Sequence, residues 1–244
     1  MANHTYRSQG PILEINMSEF WSAHLGLTLI TVSLVVLVFV ITPLREAGLA
    51  WHIFFDLATV TLMIFGAMTL KQSQLAKAFA VSITLATAIA LGAGRLHPTL
   101  PLHLLGSVLV TVTLLVYIRI VLLVMFRKGP VTWSRIQGGV CAYLLLGMAW
   151  ASAFQFIEQL HPGSFYFSST PMDIDQLSSK LTYFSFATLT TVGSTIAPLN
   201  PFARSLTIAE AVAGQLFPAT LIGALVTMAM QATGTSRPRL EEPS

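Results

Sequence analysis

The residues with the clearest chemical potential form a short polar run between two apolar stretches of the chain. The run combines hydroxyl side chains with one glycine, and its members are Thr190, Thr191, Val192, Gly193, Ser194 and Thr195. When several copies of such a segment surround one axis, their backbone carbonyls can replace the hydration shell of a cation. We therefore predict K⁺ coordination at Thr191, Val192 and Gly193, with the Thr191 hydroxyl adding a ring at the inner mouth.

The elements that must position this run are long apolar segments. Hydrophobic residues make up 54% of the chain, charged residues only 9%, and the mean hydropathy is +0.73, which is typical of a membrane protein. The apolar runs lie near Leu25–Thr42, Leu49–Leu70, Ala76–Leu91, Leu102–Phe126, Val140–Phe156 and Leu206–Met230. Apart from the third, which is short and Ala-rich, they can cross about 30 Å of hydrocarbon at about 1.5 Å per residue.

A shorter, semi-apolar segment, Leu181–Val192, precedes the glycine of the polar run and predicts a re-entrant half-helix. Irregular backbone at that depth is tolerated where protein or a water-filled cavity surrounds it. The predicted fold is thus an all-α integral membrane protein with six transmembrane helices, and with a pore helix and filter between the fifth and sixth. The predicted domains are an N-terminal segment (1–20), a four-helix domain (21–128), a pore domain (129–231) and a short tail (232–244).

Basic residues predict the orientation. Those outside the apolar runs fall mostly in one set of alternate loops, so both termini are expected in the cytoplasm and the polar run faces outward. A bacterial inner or plasma membrane, with its lipids as surroundings, is the expected location. The net charge of +3 arises mostly from this loop bias, so no nucleic-acid partner is expected.

Part of the chain resembles the pore module of bacterial potassium channels of the two-span ion-channel family. The resemblance rests on Arg135–Glu158 (RIQGGVCAYLLLGMAWASAFQFIE), on Pro162–Phe165, and on the stretches TYFSFATLTTVG and NPFARSLTIAEAVAGQL. It implies an outer helix in the fifth span, a pore helix at Gln176–Thr191, a filter at Thr191–Thr195 and an inner helix at Ser205–Gln231. One chain carries one copy, so a homotetramer is expected.

The sequence departs from the family pattern after Gly193. The family continues with Tyr-Gly-Asp before Ile, whereas this chain has only Ser194 and Thr195 before Ile196. A β-branched Thr195 at positive φ would be strained by about 1–2 kcal/mol. We therefore expect a filter that keeps its two inner carbonyl rings and has a wider outer mouth. The expected function is passive cation conduction with reduced or altered selectivity for K⁺ over Na⁺.

The last apolar run carries a candidate hinge. Gly214 and Pro218 lie four residues apart, and the Pro ring removes the hydrogen bond to the Gly214 carbonyl, so a bend is predicted there. The bend is either a gating hinge or a static kink. Gln215, Pro218, Ile222 and Val226 share one helical face, which either lines the pore or packs on the outer helix. A pore lined by this apolar half can close by dewetting.

Glu210 is predicted near filter depth, where an ionisable group needs a partner. One interpretation is that it supports the pore helix through a hydroxyl such as that of Tyr183 or Ser185. The other is that it acts as a proton-sensitive switch. The resemblance places a glutamate in this region and favours the supporting role.

The first four spans offer few charged residues. Arg119 is the single basic residue within the fourth span, so the repeated arginines of a voltage sensor are not present. Arg119 either pairs with Asp56 of the second span or extends toward the cytoplasm, which leaves Asp56 for a polar contact or a coupling ion. His97 and His103, expected in an outer loop, either titrate between about pH 5 and pH 8 or have no role.

Two other classes of function were weighed. A secondary transporter is expected to carry inverted repeats with paired broken helices, and the chain has one broken segment, near the polar run. A membrane haem or metal protein needs histidines that face each other within the bundle, and no HxxH or HxxxH spacing occurs in any apolar run. We expect no enzymatic activity and no cofactor apart from K⁺, or Na⁺, as permeant ion.

Overall fold

The computed structural model describes residues 28, 30–46, 60, 64, 74–126, 133–168 and 173–234. Helices dominate this part of the chain, and in chain order they are α1 (residues 30–46), α2 (Gln74–Leu96), α3 (Leu100–Met125), α4 (Trp133–Leu160), α5 (Ile174–Leu189) and α6 (Pro201–Gly234). Two short strands, β1 (Phe165–Tyr166) and β2 (Ala197–Pro198), accompany them. The prediction of a helical protein is confirmed for the described residues.

Four of the described helices are long and apolar enough to cross a bilayer: α2, the Leu100–Leu123 part of α3, the Arg135–Leu160 part of α4 and the Pro201–Met230 part of α6. The shortest, α2, has 23 residues. At about 1.5 Å per residue it extends over about 34 Å, which exceeds the hydrocarbon thickness of about 30 Å. These four helices mark the chain as a membrane protein.

The first two predicted spans are not among the four long helices. The apolar part of α1, Ile30–Leu44, is shorter than the four long helices, and Leu37–Ile41 within it forms a π-helical turn. The second predicted span, Leu49–Leu70, lies outside the described residues except for positions 60 and 64. The count of six spans therefore stays a prediction.

The third apolar run is longer than the sequence indicated, because α2 continues to Leu96 instead of ending near Leu91. Its small residues form the face that packs on α3. The buried hydroxyl of Thr84 lies 3.1 Å from that of Tyr117, and Thr87 Oγ1 lies 2.8 Å from Thr113 Oγ1. Small and hydroxyl-bearing residues at a helix interface let two backbones approach closely, which explains the Ala-rich composition.

The main hydrophobic core joins the two predicted domains. Buried Leu34 of α1, Leu114 and Tyr117 of α3, and Cys141 and Leu145 of α4 belong to one cluster. Helix α3 packs along α4 more extensively than any other pair of described helices. The division between 21–128 and 129–231 stays a prediction, and the packing of the described residues is continuous across it.

A second, aromatic cluster lies where α4 ends and α6 begins. Phe154, Phe165 and Phe184 meet edge to face, with ring centroids 5.2 to 5.5 Å apart. Strand β1 pairs antiparallel with β2, and this pairing places Phe165 opposite Pro198. The cluster and the two strands therefore fix both ends of the polar run, since the run lies between α5 and β2.

Candidate functional site

Helix α5 is a short helix with a defined beginning. The carboxylate of Asp173 adopts the N-cap position and accepts the backbone N–H of Gln176 at 2.7 Å. The helix has 16 residues, which corresponds to about 24 Å and is too short for a span. The pore helix was predicted at Gln176–Thr191, whereas α5 occupies Ile174–Leu189. Both ends lie two residues earlier than predicted.

The end of α5 is set by the conformation of Thr191, whose φ is +59°. The Thr191 N–H donates to the carbonyl of Thr188 at 3.0 Å, and the Val192 N–H donates to that of Ala187 at 2.9 Å. This pair of bonds is the Schellman motif, in which glycine usually takes the left-handed position. A β-branched residue there costs about 1–3 kcal/mol, so Thr191 is held in a strained conformation by its surroundings.

Positive φ along the polar run differs in part from the prediction. Gly193 has a φ of +90°, as the sequence predicted. Thr195 does not take a positive φ, and Thr191 carries the strain instead. The reason is that α5 ends in the left-handed turn at Thr191, so the segment after Gly193 continues toward β2 without a second reversal.

The polar run lies largely on the surface of the single chain. Thr190, Thr191, Gly193 and Thr195 are exposed, and the apolar side chain of Val192 is 80% exposed. Ser194 is half-buried, and its hydroxyl accepts the Ile196 N–H at 3.1 Å. The hydroxyls, the glycine and the one apolar side chain of this run are thus mostly accessible on the surface of the single chain.

Glu210 of α6 lies against α5, as predicted. Its side chain is fully buried and its Oε1 is hydrogen-bonded to Ser185 Oγ, while Ser185 Oγ also donates to the carbonyl of Gly147 at 2.7 Å. Tyr183, the other predicted partner, is 56% exposed. The contact therefore connects α4, α5 and α6 through one serine.

The Ser185 hydroxyl faces two acceptors, Glu210 Oε1 and the carbonyl of Gly147, and it has one proton. A neutral Glu210 that donates to Ser185 would satisfy both contacts, so the neutral form of Glu210 is a testable hypothesis. Among the described residues Glu210 Oε2 has no hydrogen-bond partner, and an unpartnered oxygen is less costly on a neutral acid than on a buried carboxylate.

Helix α6 approaches the end of α5 most closely at Gly214. A Cβ on Gly214 would overlap the carbonyl oxygen of Leu189 and lie 2.8 Å from its carbonyl carbon. The next residue, Gln215, donates from Nε2 to Thr191 Oγ1 at 3.3 Å, and Tyr143 OH donates to the Leu189 carbonyl at 3.3 Å. Gly214 is therefore a contact point between two backbones, which the sequence pattern did not reveal.

The face of α6 that carries Pro218, Ile222 and Val226 is not packed against α4. Ile222 is 61% exposed and Val226 is 52% exposed. Helix α6 meets α4 through other residues, and Phe217 stacks near Tyr143 with ring centroids 5.8 Å apart. Whether this face lines a pore or packs on an outer helix stays a prediction. The hinge at Gly214 stays a prediction, because α6 is one continuous helix through Pro218.

The residues proposed for modulation are scattered. Arg119 is exposed on α3, while Asp56 lies outside the described residues. His97 is exposed between α2 and α3, but His103 belongs to the first turns of α3 instead of the loop, because α3 begins at Leu100. Among the described residues, no contact of Arg119, His97 or His103 with the polar run is seen. A contact that the sequence did not predict is the ion pair between Arg95 and Asp175 at 3.7 Å.

No protein-family model, no curated protein and no solved structure matches this chain. The function is therefore argued from the residues and their arrangement.

Proposed function

We propose that this chain is the subunit of a homotetrameric cation channel in which Thr190 to Thr195 of four copies surround one axis. K⁺ is the principal permeant ion, and its discrimination from Na⁺ is reduced or altered. The observation that carries the proposal is the joint geometry of a short capped helix, a left-handed Thr191 and an exposed run up to Gly193. Four such runs around one axis supply rings of carbonyl and hydroxyl oxygens, which are the ligands of a dehydrated K⁺ ion.

The direction of α5 supports the same function. The carbonyl end of a helix carries a partial negative charge of about half an elementary charge, and in α5 this end lies at Leu189, directly before the polar run. A cation that loses water near this end gains electrostatic stabilisation. Four copies of α5 would direct four such ends toward one cavity.

The altered selectivity follows from the short connection between Gly193 and β2 at the outer end of the polar run. Strand β2 begins at Ala197, so only Ser194 to Ile196 separate it from Gly193. Two Cα atoms four residues apart span at most about 13 Å at about 3.3 Å per residue. Because β2 is paired with β1, the backbone has little freedom to build further carbonyl rings above Gly193. Fewer rings give weaker discrimination between K⁺ and Na⁺.

The exposed face of α6 is the proposed wall of the inner pore. Ile222 and Val226 are apolar and exposed in the single chain, and they follow Gln215 toward the C-terminal end of the helix. A narrow pore lined by apolar side chains loses its water and blocks ions without a mechanical plug. This region is therefore the proposed gate.

The experiment is current recording from purified protein in planar bilayers with K⁺ on one side and Na⁺ on the other. Gly193→Ala is expected to abolish or strongly reduce the current, because Gly193 has a φ of +90° in the polar run. Gly163→Ala is the matched control. Gly163 has a φ of +86°, an added Cβ meets nothing within 4 Å at either glycine, and Gly163 lies in the turn after α4.

The two variants bear the same kind of backbone strain, so they separate loss of stability from loss of conduction. Gly163→Ala is expected to keep the wild-type ratio of K⁺ to Na⁺ permeability. Absence of K⁺ and Na⁺ current from the wild-type protein at every voltage and pH tested would overturn the channel proposal. A stable monomer in mild detergent would overturn the tetramer.

A further inference from the structure

The strained residue of the polar run is contacted by a side chain from α6. Thr191 adopts a φ of +59° although it is β-branched, and residues in such conformations persist where their surroundings determine them. The Schellman hydrogen bonds fix its backbone, and its hydroxyl accepts from Gln215 Nε2 at 3.3 Å. Among the described residues, Gln215 thus provides the side-chain hydrogen bond to the Thr191 hydroxyl.

The position of Gln215 is itself determined by its neighbour. Gly214 allows the α6 backbone to contact the backbone of Leu189, where any side chain would overlap. That contact fixes the height of α6 relative to the end of α5. Gln215 is the next residue of α6, and its side-chain amide donates directly to the Thr191 hydroxyl.

We propose that Gln215 is a positioning and specificity-determining residue for the cation site at the base of the polar run, an inference that rests on the proposed channel function. The Thr191 hydroxyl has two lone pairs, of which one accepts from Gln215 and the other remains for a cation. The carboxamide oxygen of Gln215 has no partner among the described residues. In a tetramer it provides a second oxygen ring beneath that of Thr191.

This arrangement compensates for the shortened outer segment. Ser194 and Thr195 lead directly to β2, so the oxygen rings above Gly193 are limited. Oxygens below Thr191 lie on the side where the exposed face of α6 is the proposed wall of the inner pore. Discrimination between K⁺ and Na⁺ then depends on the orientation of the Thr191 hydroxyl, which Gln215 controls.

The first test measures whether Gln215 and Thr191 are coupled, and it does not require conduction. Gln215→Leu, Thr191→Val and the double variant are purified, and their thermal unfolding temperatures are compared with that of wild type. Val keeps the β-branched shape of Thr191 and removes its hydroxyl. The expected result is that Gln215→Leu lowers the unfolding temperature of the wild type but not of the Thr191→Val variant. Additive effects would overturn the proposal.

The second test measures reversal potentials of the same proteins under K⁺/Na⁺ bi-ionic conditions. Loss of one neutral hydrogen bond corresponds to about a fivefold change in an equilibrium, so Gln215→Leu is expected to change the permeability ratio by about that factor. Leu216→Ala is the control, because Leu216 is the adjacent residue of α6 and is 57% exposed. It is expected to keep the wild-type ratio.

The outcomes separate the two proposals. If the wild type conducts and the coupling is present, but Gln215→Leu has the wild-type permeability ratio, the specificity role of Gln215 is overturned and the channel stands. If the wild type passes neither ion, the channel and the specificity role fail together, and the unfolding cycle still decides whether Gln215 positions Thr191. A changed ratio in Gln215→Leu with an unchanged ratio in Leu216→Ala supports the proposal.

Discussion

We predict that Glu210 is neutral in the fold and donates to Ser185, and mutagenesis tests this prediction. In Glu210→Gln the new amide N–H can donate to Ser185 Oγ, and Ser185 can continue to donate to the carbonyl of Gly147, so every contact of the wild type is preserved. Glu210→Leu removes the donor at similar volume and leaves Ser185 with an unmet lone pair. Leaving one buried polar group unsatisfied costs about 1–3 kcal/mol.

In a chain of this length a change of 1 kcal/mol shifts the unfolding temperature by about 2–4 °C. Glu210→Gln is therefore expected to unfold within about 2 °C of wild type, and Glu210→Leu lower by about 2–12 °C. The assay is thermal unfolding of the detergent-solubilised protein, followed by tryptophan fluorescence. Ser185→Ala is the second comparison. It removes both hydrogen bonds and leaves the buried Glu210 carboxyl group unsatisfied, so it is expected to unfold at or below the temperature of Glu210→Leu.

The opposite result would refute the reasoning. If Glu210 were ionised in the fold, Gln would replace a buried, poorly paired charge and raise the unfolding temperature clearly above that of wild type. If the contact with Ser185 were immaterial, Glu210→Leu and Ser185→Ala would both unfold like wild type. The first outcome would show that Glu210 is ionised. The second would show that the hydrogen bond between Glu210 and Ser185 does not stabilise the fold.

The remaining predictions concern the two ends of α5. Gly214→Ala is expected to cost about 3 kcal/mol or more, because its Cβ would overlap the backbone of Leu189, whereas Gly223→Ala, with nothing within 4 Å of the added Cβ, is expected to stabilise α6 by about 0.5–1 kcal/mol. Thermal unfolding compares them, and similar shifts in both variants would contradict the close contact. Asp173→Ala is expected to cost about 1 kcal/mol through loss of the cap on Gln176, while Asp173→Asn keeps it. Equal unfolding temperatures for the Ala and Asn variants would show that the cap contributes nothing.

The long helices were predictable because apolar length depends on composition alone. The length of α2 was not, since the apolar run ends near Leu91, before Gly92 and Gly94. In the structure both belong to the helix, and Gly94 lies beside the His103 ring of α3. A glycine that weakens an isolated helix is tolerated where a neighbouring helix packs closely on it. The sequence shows the glycine, but it does not show which helix packs against it.

The start of α5 carries a signal in the sequence that the prediction at Gln176 did not use. Asp173 and Gln176 stand three residues apart ahead of the apolar segment, which is the spacing of a capping box and indicates a helix that begins at residue 174. At the other end, the left-handed position of a Schellman motif is expected at glycine, which favoured Gly193 over Thr191. The contacts around Thr191 include Gln215 of α6, which is distant in sequence.

Helices α1 and α2 contact α5 directly. Ser179 Oγ of α5 donates to the carbonyl of Thr42 in α1, and the Phe186 ring lies 6.4 Å from that of Phe39. The ion pair of Arg95 and Asp175 adds a contact from α2 at the first turn of α5; with both side chains partly exposed, it contributes about 0–1 kcal/mol.

Helix α5 therefore contacts α1 and α2, and through Ser185 it also contacts Gly147 of α4 and Glu210 of α6. A displacement of α1 or α2 can change the position of the polar run without a displacement of α4, because α1 and α2 contact α5 directly. In the proposed channel, the additional helices would bear on conduction through the position of α5 and, at its end, through the strained Thr191. This does not require the repeated arginines that voltage sensing needs, and it leaves the stimulus to whatever moves α1 and α2 in the membrane.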